Sequence, residues 1–403
     1  MRYPFRAALF AGVFIFSSGT ACAEPISLAD ALAKGGETSY RLAQAKAQLD
    51  AAEARARQAG VSPNPEIGLV VENFAGSGPF RATRSTETTL AISQRLELGG
   101  KRSARVEVAR TERDFAALTY ARAGADLARD IRIAHAELRA AEDRAILARD
   151  NVGRTQELAR TASLLVEVGR DPPLRKLRAE ALLAEARAEE ARTFGGLLVA
   201  RGLLATLTGV DDPELSAGDD ADSVSRDTQN VETPSLDERL AQTERDAAVA
   251  RIRVAKADAV PDITGGVGVR RFSEGRESAL VASVSIPIPI RNRNRGGIEA
   301  AQSDSIASEA NLAQTRLDAK RTRRDSAMAV GGADARLTAL SGPSLDQAEE
   351  AVRLAGIGYR AGKFSLIELI DAQTGLNSAR LALIEARLDR SRALAALARA
   401  NTQ

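Results

Sequence analysis

Apolar positions recur along the chain with two periods, and the places where the period changes divide it into elements. Over residues 27–60 the spacing is helical, until Gly60-Val61-Ser62-Pro63-Asn64-Pro65 supplies several breakers in succession. Ile67, Leu69 and Val71 then alternate. Beyond Gly76-Ser77-Gly78-Pro79 a second window sets Thr86, Thr88, Leu90 and Ile92 against Glu87, Thr89, Ala91 and Ser93. Together they predict a β-hairpin at about 66–96 with one apolar and one mixed face. After Gly99-Gly100 a helical pattern runs over about 101–168, roughly 105 Å at 1.5 Å per residue, a length no compact globule requires.

Within that rod Ile131, Ala134, Leu138, Ala141, Ala145, Ala148 and Val152 are spaced alternately by three and four, the pattern of a left-handed coiled-coil seam. Gly169-Arg170-Asp171-Pro172-Pro173 ends it. A returning helix at about 173–208 holds the alternation at Leu174, Leu177, Ala181, Ala184, Ala188, Ala191, Gly195, Leu198, Gly202 and Ala205. A seam of Ala and Gly predicts close backbone approach along this face.

Asp, Ser, Gly and Thr then dominate residues 209–234, read as a linker or insertion. A helix follows to about 259, and Pro261 stops it. Ile263, Val267 and Val269 form one strand pattern; Leu280, Ala282, Val284, Ile286 and Ile288 form its partner, closed by Pro287 and Pro289, for a second hairpin at about 263–288. A long helix at about 296–357, weakened at Gly331-Gly332 and Gly342-Pro343, precedes a final helix at about 366–399.

The order repeats. Pro65-Glu66-Ile67 recurs 196 residues later as Pro261-Asp262-Ile263, and the turn Val168-Gly169-Arg170 recurs 193 residues later as Ala361-Gly362-Lys363. The chain therefore divides into residues 1–23, a first repeat at 24–208, the segment 209–234 and a second repeat at 235–403. In the first repeat the two shorter helices sum to the length of the long one, so each half reads as a rod about 100 Å long with a strand pair at one end. Four strands cannot close a barrel, and their apolar faces need lipid or another sheet. Three chains would supply twelve strands, closed as a bilayer demands; a soluble hairpin cap on a coiled coil is the other reading of the same periodicity.

Composition narrows this picture. The 403 residues include only 10 Phe, 4 Tyr and no Trp, with one His, one Cys and two Met. The bulky filler of a thick core is nearly missing, which favours thin helical layers seamed by Ala, Leu and Val. Lys and Arg number 56 against 54 Asp and Glu, so charge gives no drive toward nucleic acid. Arg2 and Arg6, an apolar stretch from Ala7 to Phe16 and the small residues Ala21 and Ala23 around Cys22 read as an export signal cleaved after Ala23, with a lipid-bearing Cys22 as the alternative that Gly19 argues against. Cleavage there removes the single Cys and leaves a neutral mature chain.

At Asn64-Pro65-Glu66, at Glu72-Asn73 and above all at Ser93-Gln94-Arg95-Leu96-Glu97-Leu98-Gly99-Gly100-Lys101-Arg102, the sequence resembles the TolC-like outer membrane factor family, closest to its CzcC-type heavy-metal branch. The resemblance implies a mainly α fold with a small membrane β part: a homotrimer whose four strands per protomer form a twelve-stranded outer-membrane barrel, continued by a helical tunnel through the periplasm. It also implies a periplasmic adaptor and a proton-driven inner-membrane pump of the resistance-nodulation-division type as partners, outer-membrane lipid around the barrel, and export of divalent cations such as cobalt, zinc, cadmium or nickel. Export of organic compounds, or a periplasmic coiled-coil scaffold role, are the alternatives.

In that frame the tips that meet the adaptor are Val168, Gly169, Arg170, Asp171 and Pro172 in the first half and Gly362, Lys363, Phe364 and Ser365 in the second. Gly99, Gly100, Lys101 and Arg102 form the strand-to-helix junction, where the basic pair contacts headgroups, caps carboxylates or simply keeps the surface soluble. Aligned at the repeat offset, Arg175 and Arg178 correspond to Glu368 and Asp371, so opposite charges would meet around a closed periplasmic gate. No enzyme is expected: His135 is read as a lone helix-surface histidine, and no catalytic triad, zinc site or phosphate loop can be assembled. No cofactor is implied. Scarce His, Cys and Met mean that a cation would pass without tight coordination.

Overall fold

The computed structural model of the protein describes residues 25–218 and 233–403. The export-signal reading, with Ala21, Cys22 and Ala23, and most of the segment 209–234 lie outside the described residues. The first half contains α1 (Leu28–Thr38), α2 (Tyr40–Ala59), β1 (Glu66–Glu72), β2 (Glu87–Leu96), α3 (Lys101–Glu167) and α4 (Pro173–Thr208). The second contains α5 (Leu236–Asp258), β3 (Ile263–Phe272), β4 (Ser278–Ser285), α6 (Arg295–Leu340), α7 (Pro343–Arg360) and α8 (Leu366–Ala400).

α3 is the spine. Its 67 residues contain no proline and many alanines, so the backbone ladder runs unbroken for about 100 Å. α2 covers the part near the sheet and α4 the remainder, while α5 and α8 of the second half pack on its other side. Ile131, Ala134, Leu138 and Ala141 of α3 meet Leu197 and Leu204 of α4, together with Ile26, Leu215 and Ala217, at the joint between the stacked helices. There Ile26 bridges Ala217, and the fully buried His135 donates from Nε2 to the Ile26 carbonyl at 3.0 Å. The surface position expected for His135 is thus corrected: it lies on the seam side of α3, one residue from Ala134.

Four further expectations change. The helix expected over 27–60 is two helices, because Ser39 is extended (ψ 114°) and its side chain caps α2 by accepting from the Leu42 N–H. Gly331-Gly332 stays helical inside α6, whereas the break falls at Ser341-Gly342, ahead of Pro343. Glycine only weakens a helix, while proline removes a donor and clashes with the preceding turn. β4 ends at Ser285, leaving Ile286 and Ile288 outside it, since Pro287 and Pro289 cannot donate to a ladder.

The fourth change concerns α4. Its regular stripe from Leu174 to Gly202 is exposed, with Leu174 at 73% and Leu177 at 61%. The face packed inside the protomer is Ala179, Ala186, Leu197 and Leu204. An Ala-rich helix carries two apolar stripes, and periodicity does not say which one α3 covers.

The strands form one antiparallel sheet in the order β1-β2-β3-β4, so the two hairpins join through β2 and β3, and β1 and β4 are open edges. The register aligns Leu69, Leu90, Val269 and Leu280 in one row and Ile67, Ile92, Val267 and Ala282 in the next, all on one face. That face is uncovered: Leu280 is 88% exposed and Ile67 77%. The opposite face carries smaller or polar residues, including Gly68, Thr89, Ala91, Ser93, Gly266, Gly268 and Ser283. Gly268 has no room for a side chain, since a Cβ would stand 2.5 Å from the Leu90 carbonyl oxygen. Among the described residues no helix is long and apolar enough to cross a membrane.

Candidate functional site: two helical tips and a strand-to-helix junction

At the end remote from the sheet both long hairpins reverse in the same way. Gly169 (φ +72°) follows α3, and Gly362 (φ +71°) follows α7. In the first tip Gly169 N–H donates to Val166 O and Arg170 N–H to Leu165 O; in the second Gly362 N–H donates to Tyr359 O and Lys363 N–H to Gly358 O. Each pair of bonds is a Schellman closure, whose left-handed residue glycine adopts without Cβ strain. Val168 and Ala361 are the corresponding helix C-caps.

The tips diverge beyond the reversal. Pro172 leads into Pro173 and provides no side-chain cap. Ser365 instead forms a reciprocal capping box with Glu368. Bonds from the Ser365 backbone and hydroxyl hold the Glu368 carboxyl below the usual range. Phe364, about half exposed, lies over Gly358, where a Cβ would stand 2.1 Å from its ring.

The two tips touch. Leu158, Ala159, Ala162 and Ala179 pack against Ala355, Tyr359, Leu366 and Leu369. Tyr359 is 4% exposed, and its hydroxyl donates to Asp171 Oδ2 at 3.3 Å. The other Asp171 oxygen accepts from Arg175, and the Asp171 side chain is 8% exposed. Burial and the Asp171 charge push the Tyr359 phenol above its ordinary range, so it remains a donor at neutral pH. The guanidinium of Arg170 lies 3.6 Å from where a Cβ on Gly362 would stand.

Within one protomer, then, Arg175 binds Asp171 and Glu368 binds Ser365, and the pairs expected between halves are not brought together. Arg178 and Asp371 are exposed without an ion pair among the described residues. Sequence reasoning missed Tyr359. It was visible as one of only four tyrosines, three residues before a turn glycine.

At the sheet end, Gly99 and Gly100 both have positive φ, +69° and +75°. A Cβ on Gly99 would stand 2.7 Å from Val260, so this glycine is required by space as well as by φ. The turn brings Lys101 Nζ to 2.7 Å from Asp262 Oδ1, which also accepts from the Leu98 N–H at 3.2 Å. Burial disfavours the Asp262 charge, but the Lys101 ammonium and that N–H together hold its carboxyl below the usual range. Arg105 grips Glu97 with two bonds at 2.7 and 3.1 Å, and reaches the carbonyls of Ala59 and Val61. That bidentate contact lowers the Glu97 carboxyl. Lys101 thus caps a carboxylate, while Arg102 is exposed. Among the described residues no group of three or more His, Cys, Asp or Glu is placed to hold a metal ion.

Comparison with known proteins fits this geometry. The family profile described as "Outer membrane efflux protein" matches residues 37–210 and 232–401, one segment in each half. The chain is 30% identical to the cobalt-zinc-cadmium resistance protein CzcC of Cupriavidus metallidurans, over 89% of this chain and 86% of that one. It is 36% identical to the nickel and cobalt resistance protein CnrC of the same organism, over 72% of this chain and 69% of that one. The solved structure of CusC aligns with a TM-score of 0.79 at 19% identity, covering 93% of this chain and 92% of the other. Matched in sequence across both halves and in fold over nearly its whole length, the chain belongs to the outer membrane efflux protein family, as a non-catalytic outer-membrane channel that reaches into the periplasm.

Proposed function

We propose that three copies of this chain form the exit duct of a tripartite pump for divalent heavy-metal cations. The observation that carries the trimer is the sheet: two open edges and an uncovered apolar face have no stable place in one chain, whereas twelve strands close a barrel with that face toward lipid. The exposed stripe of α4 supports the same assembly, since its Ala and Gly positions suit a neighbouring helix at close range. Cobalt, zinc, cadmium and nickel as cargo are supported by the relatives named for resistance to them.

In this reading the Schellman tips at Val168, Gly169, Arg170, Asp171 and Pro172 and at Gly362, Lys363, Phe364 and Ser365 dock on the periplasmic adaptor. The adaptor links the duct to an inner-membrane pump of the resistance-nodulation-division type. The gate is a contact between tips. Tyr359 reaches across to Asp171, which Arg175 of the same hairpin holds in place, and so keeps the second hairpin against the first, while Arg178 and Asp371 stay available to neighbouring protomers.

Two experiments test these claims. A deletion strain should lose tolerance to one or more of the four metals; unchanged metal tolerance with raised sensitivity to organic toxicants would transfer the cargo to the other class. Tyr359→Phe combined with Asp171→Asn should raise single-channel conductance in planar bilayers. Conductance equal to that of the parent chain would remove Asp171 and Tyr359 from the gate.

A further inference from the structure

The second strand-to-helix junction, residues 286–294, has chemistry that the first lacks. It reads Ile286-Pro287-Ile288-Pro289-Ile290-Arg291-Asn292-Arg293-Asn294, and Arg295 opens α6. Ile286, Ile288 and Ile290 are 49%, 79% and 76% exposed. They follow directly on Leu280 and Val284, exposed residues of the apolar sheet face. Arg291, Arg293 and Arg295 are exposed as well. Arg293 donates from Nε to the Pro289 carbonyl, and none of the three forms an ion pair among the described residues.

This differs from the first junction, where Lys101 and Arg105 are already taken by Asp262 and Glu97. The second segment is nevertheless held in place. Asn294 adopts φ +52° and its side chain donates to the Ala255 carbonyl at 2.7 Å, and Gly297 must lack a Cβ to accommodate that amide. Three apolar side chains followed by three guanidinium groups without a carboxylate partner among the described residues, at the edge of an apolar sheet face, match the passage from acyl chains to headgroups.

We infer that residues 286–295 seat on anionic phospholipid in the periplasm-facing leaflet. The isoleucines enter the acyl boundary, and the three arginines hold headgroup phosphates through paired N–H donors. The inference rests on the reading of the sheet as bilayer-spanning. It assigns the second half a lipid contact through three arginines free of carboxylates among the described residues, where the first junction pairs Lys101 and Arg105 and leaves Arg102 alone exposed.

The chain has no Trp, so one introduced Trp reports on a single site. The full chain carrying Ile288→Trp, reconstituted in phosphatidylethanolamine vesicles, is probed with brominated phosphatidylglycerol or brominated phosphatidylcholine at equal mole fraction. Phosphatidylglycerol should quench at least about twofold more strongly. Replacing Arg291, Arg293 and Arg295 together by Gln should abolish the preference, while replacing them by Lys should retain most of it. Equal quenching by both lipids, or a preference that survives the Gln variant, overturns the inference. Leu280→Trp separates this failure from that of the underlying reading. Quenched equally by both lipids, it leaves the sheet in the bilayer; unquenched by either, it takes down the membrane reading and this inference together.

Discussion

The first half of the chain carries its long helix as α3, unbroken for 67 residues, whereas the second divides the equivalent length between α6, with 46, and α7, with 18. The tips differ in the same sense. The first enters its returning helix through Pro172-Pro173, while the second uses the Ser365 and Glu368 capping box. At the sheet, the first junction is fastened by Lys101 to Asp262 and Arg105 to Glu97, and the second leaves its arginines free of carboxylates among the described residues. A duplicated layout thus serves two purposes. The first half supplies a continuous spine whose junction is tied by two ion pairs, and the second supplies a segmented rod whose α7 depends on contacts with α8 and Asp171.

The contrast can be broken by moving the break. Asp150 stands 193 residues before Pro343, in the middle of α3. Asp150→Pro should cost about 3 kcal/mol or more, because it deletes a ladder bond and drives a ring into the preceding turn. The temperature at which the trimer dissociates on a gel should fall accordingly. The reciprocal Pro343→Ala should change stability by less than about 1 kcal/mol. Equal effects would mean that α3 is no more a spine than α6.

The junctions come next in size. Asp262 and Glu66 occupy matching repeat positions, yet Asp262 holds Lys101 and the Leu98 N–H while Glu66 is exposed without an ion pair among the described residues. Asp262→Ala should cost about 2 kcal/mol, since it leaves a part-buried ammonium uncompensated. Glu66→Ala should stay within about 0.5 kcal/mol. Chemical denaturation of the detergent-solubilised protein distinguishes them, and equal losses would show that the lock contributes nothing.

At the tips, Ser365→Ala removes a capping box and should cost about 1 kcal/mol, whereas Pro172→Ala removes no side-chain cap and should cost less than about 0.5 kcal/mol. The denaturation midpoints of the two variants sharpen the comparison between hairpins. A smaller effect is electrostatic. The carboxyls of Glu97 and Asp262 are held below their ordinary values, so the stability they contribute is complete above the unfolded carboxylate range of about pH 4. It is lost as pH falls through their lowered folded values. Arg105→Gln should flatten that acid limb, as followed by helical circular dichroism, and an unchanged profile would remove Glu97 from it.

Much of the fold was legible because its causes are local. Breakers at Pro63, Pro65, Pro172 and Pro261 bound elements wherever they stand, and the alternation at Ile67, Leu69 and Val71 shows a strand without any neighbour. The glycines at 169 and 362 marked reversals that the Schellman bonds account for. The site was less legible. Arg175 and Glu368 were paired by repeat alignment, but each finds a nearer partner, in Asp171 and in Ser365. Tyr359 escaped notice because the Asp171 that gives it meaning lies 188 residues away.

By itself, then, the sequence determined the order of most helices and strands and the repeat of that order, since periodicity and chain breakers act within a few residues, although it missed the split at Ser39 and the early end of β4. Only the tertiary structure decided that β2 pairs with β3 across the two halves, and that Lys101 meets Asp262 over a separation of 161 residues. It also decided that α4 turns its most regular stripe outward. Each of these depends on how an element is rotated about its own axis and which neighbour it meets, and an Ala-rich helix with two apolar stripes leaves that rotation open until its partners are in place.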